Sequence, residues 1–407
     1  MELIQARIRG LGKLKESQWF ELSPHLNLFQ FPDQKGLNDQ TFATNFLQLL
    51  QTINPTYDIE KIQPFANFPN FTKQGGYTRH INPAKRTVAL AVFSATPSLV
   101  KELAVADEWL YETDRIEVGR RLDYSRWINF VEIAASTRWS EISDNIQILL
   151  DQVQNLRPDL TIPLDDIFHS LKPADRIKNE LQEQLAHWLK NLPAEVQKSS
   201  GQLIESTFSA VMRADHFQTA RDIVCSRLPL FVTLGNSISH SNTKKEETHS
   251  LHNLLHLIAN SAKSPSKDSI TDEHTSFDKL NEQLERSNFS SMTLRVQLCP
   301  TGLLLMIDDK PMQTAPGDPV SSLKQIQAKA FLAVAFSRVA YKTEPILLFA
   351  EPERMVSNTL HAELADFVIN ISNTCQCLYS FSDVDIFSHI TEGKRYSIDD
   401  LHIPELL

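Results

Sequence analysis

The last third of the chain constrains the fold most. Short apolar runs alternate there with longer helical stripes: a run at 302–307, a helical pattern over 323–341, a run at 345–350, a second helical pattern over 355–372, and a run at 376–381. Runs of this length, bounded by turn signals, suit strands buried on both faces, and strands separated by helices suit a parallel sheet. The beginning uses the same vocabulary. Residues 3–9 alternate with period two, Gly10-Leu11-Gly12 turns the chain, and 19–22 and 26–31 read as two more strands. A helical stripe covers 41–53, and 87–93 is another continuous apolar run. Thr96 and Pro97 then open a helix as cap and first residue. Segments 116–122 and 127–133 read as strands, and 291–298 forms a hairpin with 302–307. Neither end carries a complete sheet, so the two ends are expected to build one α/β head.

The middle differs. Residues 140–226 have a helical pattern, with Pro173 and Pro193 at expected helix starts and an apolar stripe through Leu181, Leu185, Trp188 and Leu189. Segments 238–248 and 261–276 are rich in Ser, Asn, Lys and Thr and read as linkers flanking one helix. The expected division is therefore 1–135, a helical insertion at 136–288, and 289–407.

Composition narrows the function classes. At 42% hydrophobic and 22% charged residues, the 407-residue chain is globular. Its net charge of −10 does not support a broad nucleic-acid surface, which needs a basic excess; only a local basic patch would leave DNA open. Among the four cysteines, Cys375 and Cys377 are too close for an ordinary disulfide or a zinc site, and so few fit a reducing compartment. The first twelve residues do not read as a signal peptide, and no apolar run approaches the ~20 residues that span a bilayer. A cytoplasmic protein without a membrane segment is expected.

Several motifs carry a family resemblance. Ala6-Arg-Ile-Arg-Gly10-Leu-Gly12 followed by Phe20-Glu-Leu-Ser-Pro24-His-Leu-Asn-Leu-Phe29 resembles the opening of SMC/RecF-type ATPase heads of the ABC superfamily. That family continues into the phosphate loop G-x-x-x-x-G-K-[ST], whose glycines admit phosphate to the backbone, whose lysine holds the outer phosphates and whose hydroxyl binds magnesium. Here Phe31 stands at the first glycine, Gly36 keeps the second, Leu37 stands at the lysine and Asn38 at the hydroxyl; Lys35 is two positions early. Ile346-Leu-Leu-Phe-Ala350-Glu351-Pro352-Glu353 resembles the Walker B strand. Ala350 replaces its magnesium-organising aspartate, while Glu351 keeps the water-polarising glutamate. Ser322-Leu-Lys324 retains the serine of the signature motif but not its glycines, and Ser382 sits at the switch histidine.

The resemblance implies a P-loop NTPase-like head made of N- and C-terminal segments, with a helical insertion. Four departures, at Leu37, Asn38, Ala350 and Ser382, remove the groups that carry most phosphoryl-transfer catalysis, so a pseudo-ATPase is expected. Glu351 is the surviving catalytic candidate, and Gly36, Asn38 and Ser322 are the residues left to hold ATP as cofactor. The partner is a second protein or a second copy.

Other constellations read more plainly. His249, His252 and His256 fall near one face of a helix whose opposite face carries Leu251, Leu254, Leu255 and Ile258, so they point to solvent and no metal is expected. The charged segment 114–127 reads as a solvated hairpin laced with ion pairs. Gly75-Gly76 reads as a turn. Three functions follow: a non-hydrolysing scaffold or regulatory head in a DNA-maintenance or defence-type assembly; a weak ATP-hydrolysing protein using Glu351; and an interaction module of unrelated α/β fold working through 140–290.

Overall fold

The computed structural model describes residues 1–11, 14–31, 42–65, 82–108, 110–156, 164–235, 250–262, 272–286, 292–299, 302–312, 319–381, 385–388 and 393–401. The chain opens with β1 (Glu2–Leu11), β2 (Leu14–Glu16), β3 (Phe20–Glu21), β4 (Leu26–Gln30), α1 (Phe42–Gln51) and α2 (Ile59–Ile62). Next come β5 (Thr87–Ser94), α3 (Pro97–Leu103), β6 (Arg115–Arg121), β7 (Arg126–Phe130), α4 (Trp139–Leu156), α5 (Asp165–Ser170), α6 (Asn179–Lys190) and α7 (Ala194–Arg227). Then follow β8 (Phe231–Gly235), α8 (Ser250–Ala262), α9 (Asp272–Arg286), β9 (Leu294–Cys299), β10 (Gly302–Ile307), β11 (Lys310–Pro311) and α10 (Pro319–Ala340). The chain closes with β12 (Ile346–Ala350), α11 (His361–Ser372), β13 (Cys377–Phe381), β14 (Lys394–Ser397) and α12 (Ile398–Leu401).

Two units result. The first holds Met1–Thr96, Arg115–Ile128 and Arg227–Leu407; the second holds Pro97–Asp114 and Asn129–Ser226. The first unit is built on a parallel sheet in the order β14-β4-β13-β12-β8. Strand β4 from the beginning lies between β13 and β14 from the end, so the two ends share one sheet. Every residue of β12 and β13 is buried, as two-face coverage requires. Asn27 is the buried polar exception in β4. Its amide donates to the carbonyls of Ser23 at 2.9 Å and Cys377 at 3.4 Å, and its oxygen accepts from the Ser23 N–H.

The second sheet of this unit runs β2-β1-β5-β6-β7, with β3 also on β1. Helix α1 touches β1 and β5 of this sheet and β8, β12 and β13 of the parallel one, and all ten of its residues are buried. On the other side α10 contacts β8, α8 and α9, and α9 and α8 carry the hairpin β9–β10. That double coverage explains why 328–337 are buried all round the helix.

The second unit is a helical cluster around Trp139, Ile142, Phe168, Ile177, Leu185, Leu189 and Val211. Trp139 stacks on Phe168 at 5.5 Å. Leu185 and Leu189 are buried, with Leu181 and Trp188 packed at the margin. Helix α7 changes direction at Ser200, whose backbone leaves the helical region.

Several boundaries differ from expectation. The expected insertion at 136–288 extended too far: Leu228–Gly235 carries β8, an edge strand of the parallel sheet, and α8 and α9 belong to the first unit. The second unit also takes 97–114 from the expected N-terminal part. Pro173 lies in a turn, and the next helix starts at Asn179. The expected helix 355–372 begins only at His361, because two 3-10 turns (Pro352–Met355 and Asn358–Leu360) intervene. Strand β7 stops at Phe130 rather than at 133, and Glu132 turns in the left-handed region. No described helix is long and apolar enough to cross a membrane.

Close packing at β6 makes one glycine necessary. A Cβ on Gly119 would lie 2.2 to 2.5 Å from three atoms of the Trp127 indole, which donates from Nε1 to Thr87 Oγ1 at 3.0 Å. Gly119→Ala is expected to expel the ring and cost about 1–3 kcal/mol. The measurement is urea denaturation followed by tryptophan fluorescence. A variant with the native midpoint and native emission would show that the ring is free to yield.

Candidate nucleotide site

In an open parallel sheet, ligands bind outside the carboxyl ends of the strands. Here Gln30, Phe381, Ala350, Gly235 and Ser397 mark that edge, and the registers Ala350 with Ser380 and Gly235 set them level. Helix α1 places Thr44, in its first turn, on the same side, against Glu351.

Glu351 follows β12 directly. Its N–H donates to Ser380 O at 3.0 Å, which extends the β12–β13 ladder by one residue. Its backbone is left-handed (φ 46°, ψ 49°), which for a non-glycine residue costs roughly 1–2 kcal/mol and must be held by the surroundings. Its side chain is held as well. The Glu351 carboxylate is 1% exposed; Oε2 accepts from Thr44 Oγ1 at 2.9 Å, and Oε1 pairs with Arg354 Nε at 3.0 Å. Both oxygens are therefore committed to protein partners. A charge-assisted hydrogen bond of this kind is worth about 1.5–3 kcal/mol. The carboxylate ties α1 to the turn after β12.

Glu353 behaves differently. Its carboxyl is buried and accepts from Tyr379 Oη at 2.5 Å. Burial pushes its pKa up to about 7, the Tyr379 hydrogen bond and Arg354 pull it down, and the charge of Glu351 raises it further. Burial likewise lifts the Tyr379 phenol well above its ordinary value. His361 Nε2 reaches the carbonyls of Glu353 and Val356 at 3.2 and 3.3 Å, so this nitrogen carries the proton and pins the turn to α11.

The place of the first phosphate-loop glycine is filled. Phe31 is fully buried, with its N–H on Phe381 O at 3.0 Å and its ring 5.1 Å from both Phe42 and Phe46 of α1. Phe29, Phe20 and Tyr396 continue this aromatic cluster.

The four predicted site residues fare unequally. Gly36 and Asn38 lie outside the described residues, as do Lys35, Leu37 and Ser382. Ser322 sits in the first turn of α10, partly buried. Glu351 is brought to the sheet edge, against Thr44 and Arg354. Sequence reading singles out Glu353 beside Glu351 as a carboxylate pair, but it missed Thr44, Arg354 and Tyr379. A signal existed for Arg354, an arginine three residues after the glutamate; the Thr44 contact spans 307 positions and had none.

Among the described residues, the donor set at this edge is poor for a magnesium nucleotide. Ala350 supplies no side-chain oxygen, each Glu351 oxygen already has a protein partner, and the buried Ser380 hydroxyl, with no hydrogen-bond partner among the described residues, is a single neutral ligand. Among the described residues no cluster of three His, Cys, Asp or Glu could hold a metal. Of the three histidines, His256 is exposed on α8 opposite buried Leu254, Leu255 and Ile258, and His249 lies outside the described residues.

The charged segment 114–127 has a structural role at Arg120. This side chain is buried and donates to Thr52 O (2.7 Å), Ile53 O (3.1 Å) and Tyr124 O (2.6 Å). Arg126 bonds Asn54 Oδ1 at 2.8 Å, and the Asn54 amide reaches the carbonyls of Leu228 and Pro229 ahead of β8. Asp123 accepts from Ser125 at the hairpin tip. The Gly75-Gly76 turn lies outside the described residues.

No family model matches the chain, and no curated protein does. Among solved structures it is similar to an Smc head bound to the C-winged helix domain of ScpA, at 10% identity over 96% of this chain and 92% of that one, with a TM-score of 0.40. It is similar to the SMC head domain from Thermotoga maritima at 8% identity over 96% and 92%, with a TM-score of 0.35. A third is the recombination mediator protein RecF with ATP, at 11% identity over 97% and 96%, with a TM-score of 0.31.

Proposed function

We propose that this chain is a non-hydrolysing head of SMC/RecF type, acting as a scaffold or regulatory subunit that pairs with another protein or with itself. One observation carries the reading: the only surviving catalytic carboxylate, Glu351, has both oxygens engaged by Thr44 and Arg354, beside an alanine where magnesium would be organised. A water-polarising carboxylate must face the water. This one faces its own scaffold, and its charge serves the turn. The sequence resemblance alone suggests DNA maintenance or defence as the setting, and the net charge argues against a broad DNA surface.

A weak ATPase using Glu351 is the second reading. It is favoured by Glu353, two residues on, which holds a proton near neutral pH and could serve as an acid. It requires Arg354 to release Glu351. The test is calorimetric titration of the full chain with ATP, with and without magnesium, together with phosphate release. The expected result is no heat at millimolar ATP and no turnover above a blank. Magnesium-dependent binding with turnover that Glu351→Gln abolishes would overturn the first reading and establish the second.

A further inference from the structure

A cleft of about 280 Å³ opens between α10 and α11, within the first unit. It lies at or below the small end of the ~300–1,000 Å³ typical of pockets for whole small molecules. Its size suits one inserted side chain. Its floor is apolar: Phe331 from α10 and Phe367 from α11 meet edge to face at 5.7 Å, with Ile371 beside them. Its rim is acidic. Glu363 and Asp366 are exposed, stand one helical turn apart on α11, and pair with no cation among the described residues. Like charges at that spacing cost a helix a few tenths of a kcal/mol, a cost that a bound cation removes.

We propose that this cleft receives an arginine side chain from a partner protein. The sign of the rim rejects nucleotides, phosphates and nucleic acid. Two carboxylates above a largely buried aromatic floor match a guanidinium better than an ammonium, because the planar fork donates to two acceptors at once. Two carboxylates on one helix turn are too few oxygens for a divalent cation. Arginine anchors of this kind dominate protein interfaces out of proportion to their area. The inference is independent of whether the head hydrolyses ATP, since no residue of the cleft belongs to the β12 turn.

The test uses the full chain and two fluorescein-labelled peptides, acetyl-Leu-Leu-Arg-Leu-Leu-amide and the same peptide with neutral, isosteric citrulline at its centre. Anisotropy is measured at about 50 mM salt, where surface charge is incompletely screened. The arginine peptide should bind about tenfold tighter than the citrulline peptide, the gap expected of a hot-spot charge. That gap should close in the Glu363→Gln/Asp366→Asn double variant. Both side chains are exposed, so the double variant should keep the native melting temperature. Equal binding of the two peptides, no binding of either at millimolar concentration, or a gap that survives the double substitution would each overturn the proposal.

Discussion

Arg120→Met is expected to cost about 3–5 kcal/mol of folding stability, the largest loss of any single change considered for this chain. Methionine keeps much of the stem volume and removes the donors. Three carbonyls then lose their partner, two of them, Thr52 and Ile53, in the turn that ends α1. A buried acceptor left without a donor costs about 1–3 kcal/mol, and the α1 end has no basic residue of its own in its last turn to substitute. Lysine at this position should recover only part, because one ammonium cannot serve three carbonyls in a fixed fork. The measurement is the urea midpoint, with hydrogen exchange of peptides covering α1 and β6 to localise the loss. A penalty under about 1 kcal/mol would mean that water replaces the guanidinium and that Arg120 is not a structural clamp.

The second large effect is on pH dependence. The folded Glu353 carboxyl keeps its proton up to about pH 7, whereas the unfolded one releases it near its ordinary value of 4.5. Between those values the folded chain binds more protons than the unfolded chain, so stability falls as pH rises through that window. From pH 5 to 7.5 the fall attributable to this group is about 2 kcal/mol. Glu353→Gln can still accept from Tyr379 and has no proton to lose. The difference in stability between native chain and variant should therefore shift by that amount, in the variant's favour, over the window. Lys329 sets the upper limit of the experiment. Burial pulls its pKa from 10.5 down to about 8, so it adds stability as pH rises from there toward 10.5. Parallel stability curves for native and variant between pH 5 and 7.5 would show that Glu353 is ionised throughout.

The sheet was legible because burial on both faces leaves a composition mark. Ile346-Leu-Leu-Phe-Ala350 and Cys377–Phe381 have no polar face to hide, and the turns around them are written in Pro, Ser and Asn. Strand β8 carried the same mark in Phe231–Gly235 but stood next to a long helical stretch, and it was absorbed into the insertion. The start of α11 was misplaced because Met355 and Val356 fit the helical period, while the left-handed backbone at Glu351 and the His361 contacts that force two tight turns are tertiary facts. The candidate site was legible only at its centre. The run ending in Ala350-Glu351 located the carboxylate, but nothing local said that Thr44 would occupy it. Nor did sequence show that Glu353 would keep a proton, since that depends on Tyr379 and on burial.

The placement of β4 has a consequence for synthesis on the ribosome. Its partners β13 and β14 lie about 350 or more residues downstream. Until they emerge, Leu26, Leu28 and Phe29 have no sheet to join, and the row of unpaired amides along β4 stays open. The helical cluster of 129–226 draws its contacts from a nearly continuous stretch and can form while the chain is still growing. The head is thus committed last. A nascent chain paused before residue 377 presents a finished helical unit and an unfinished, adhesive sheet edge, the form of this protein most exposed to chaperones and proteases.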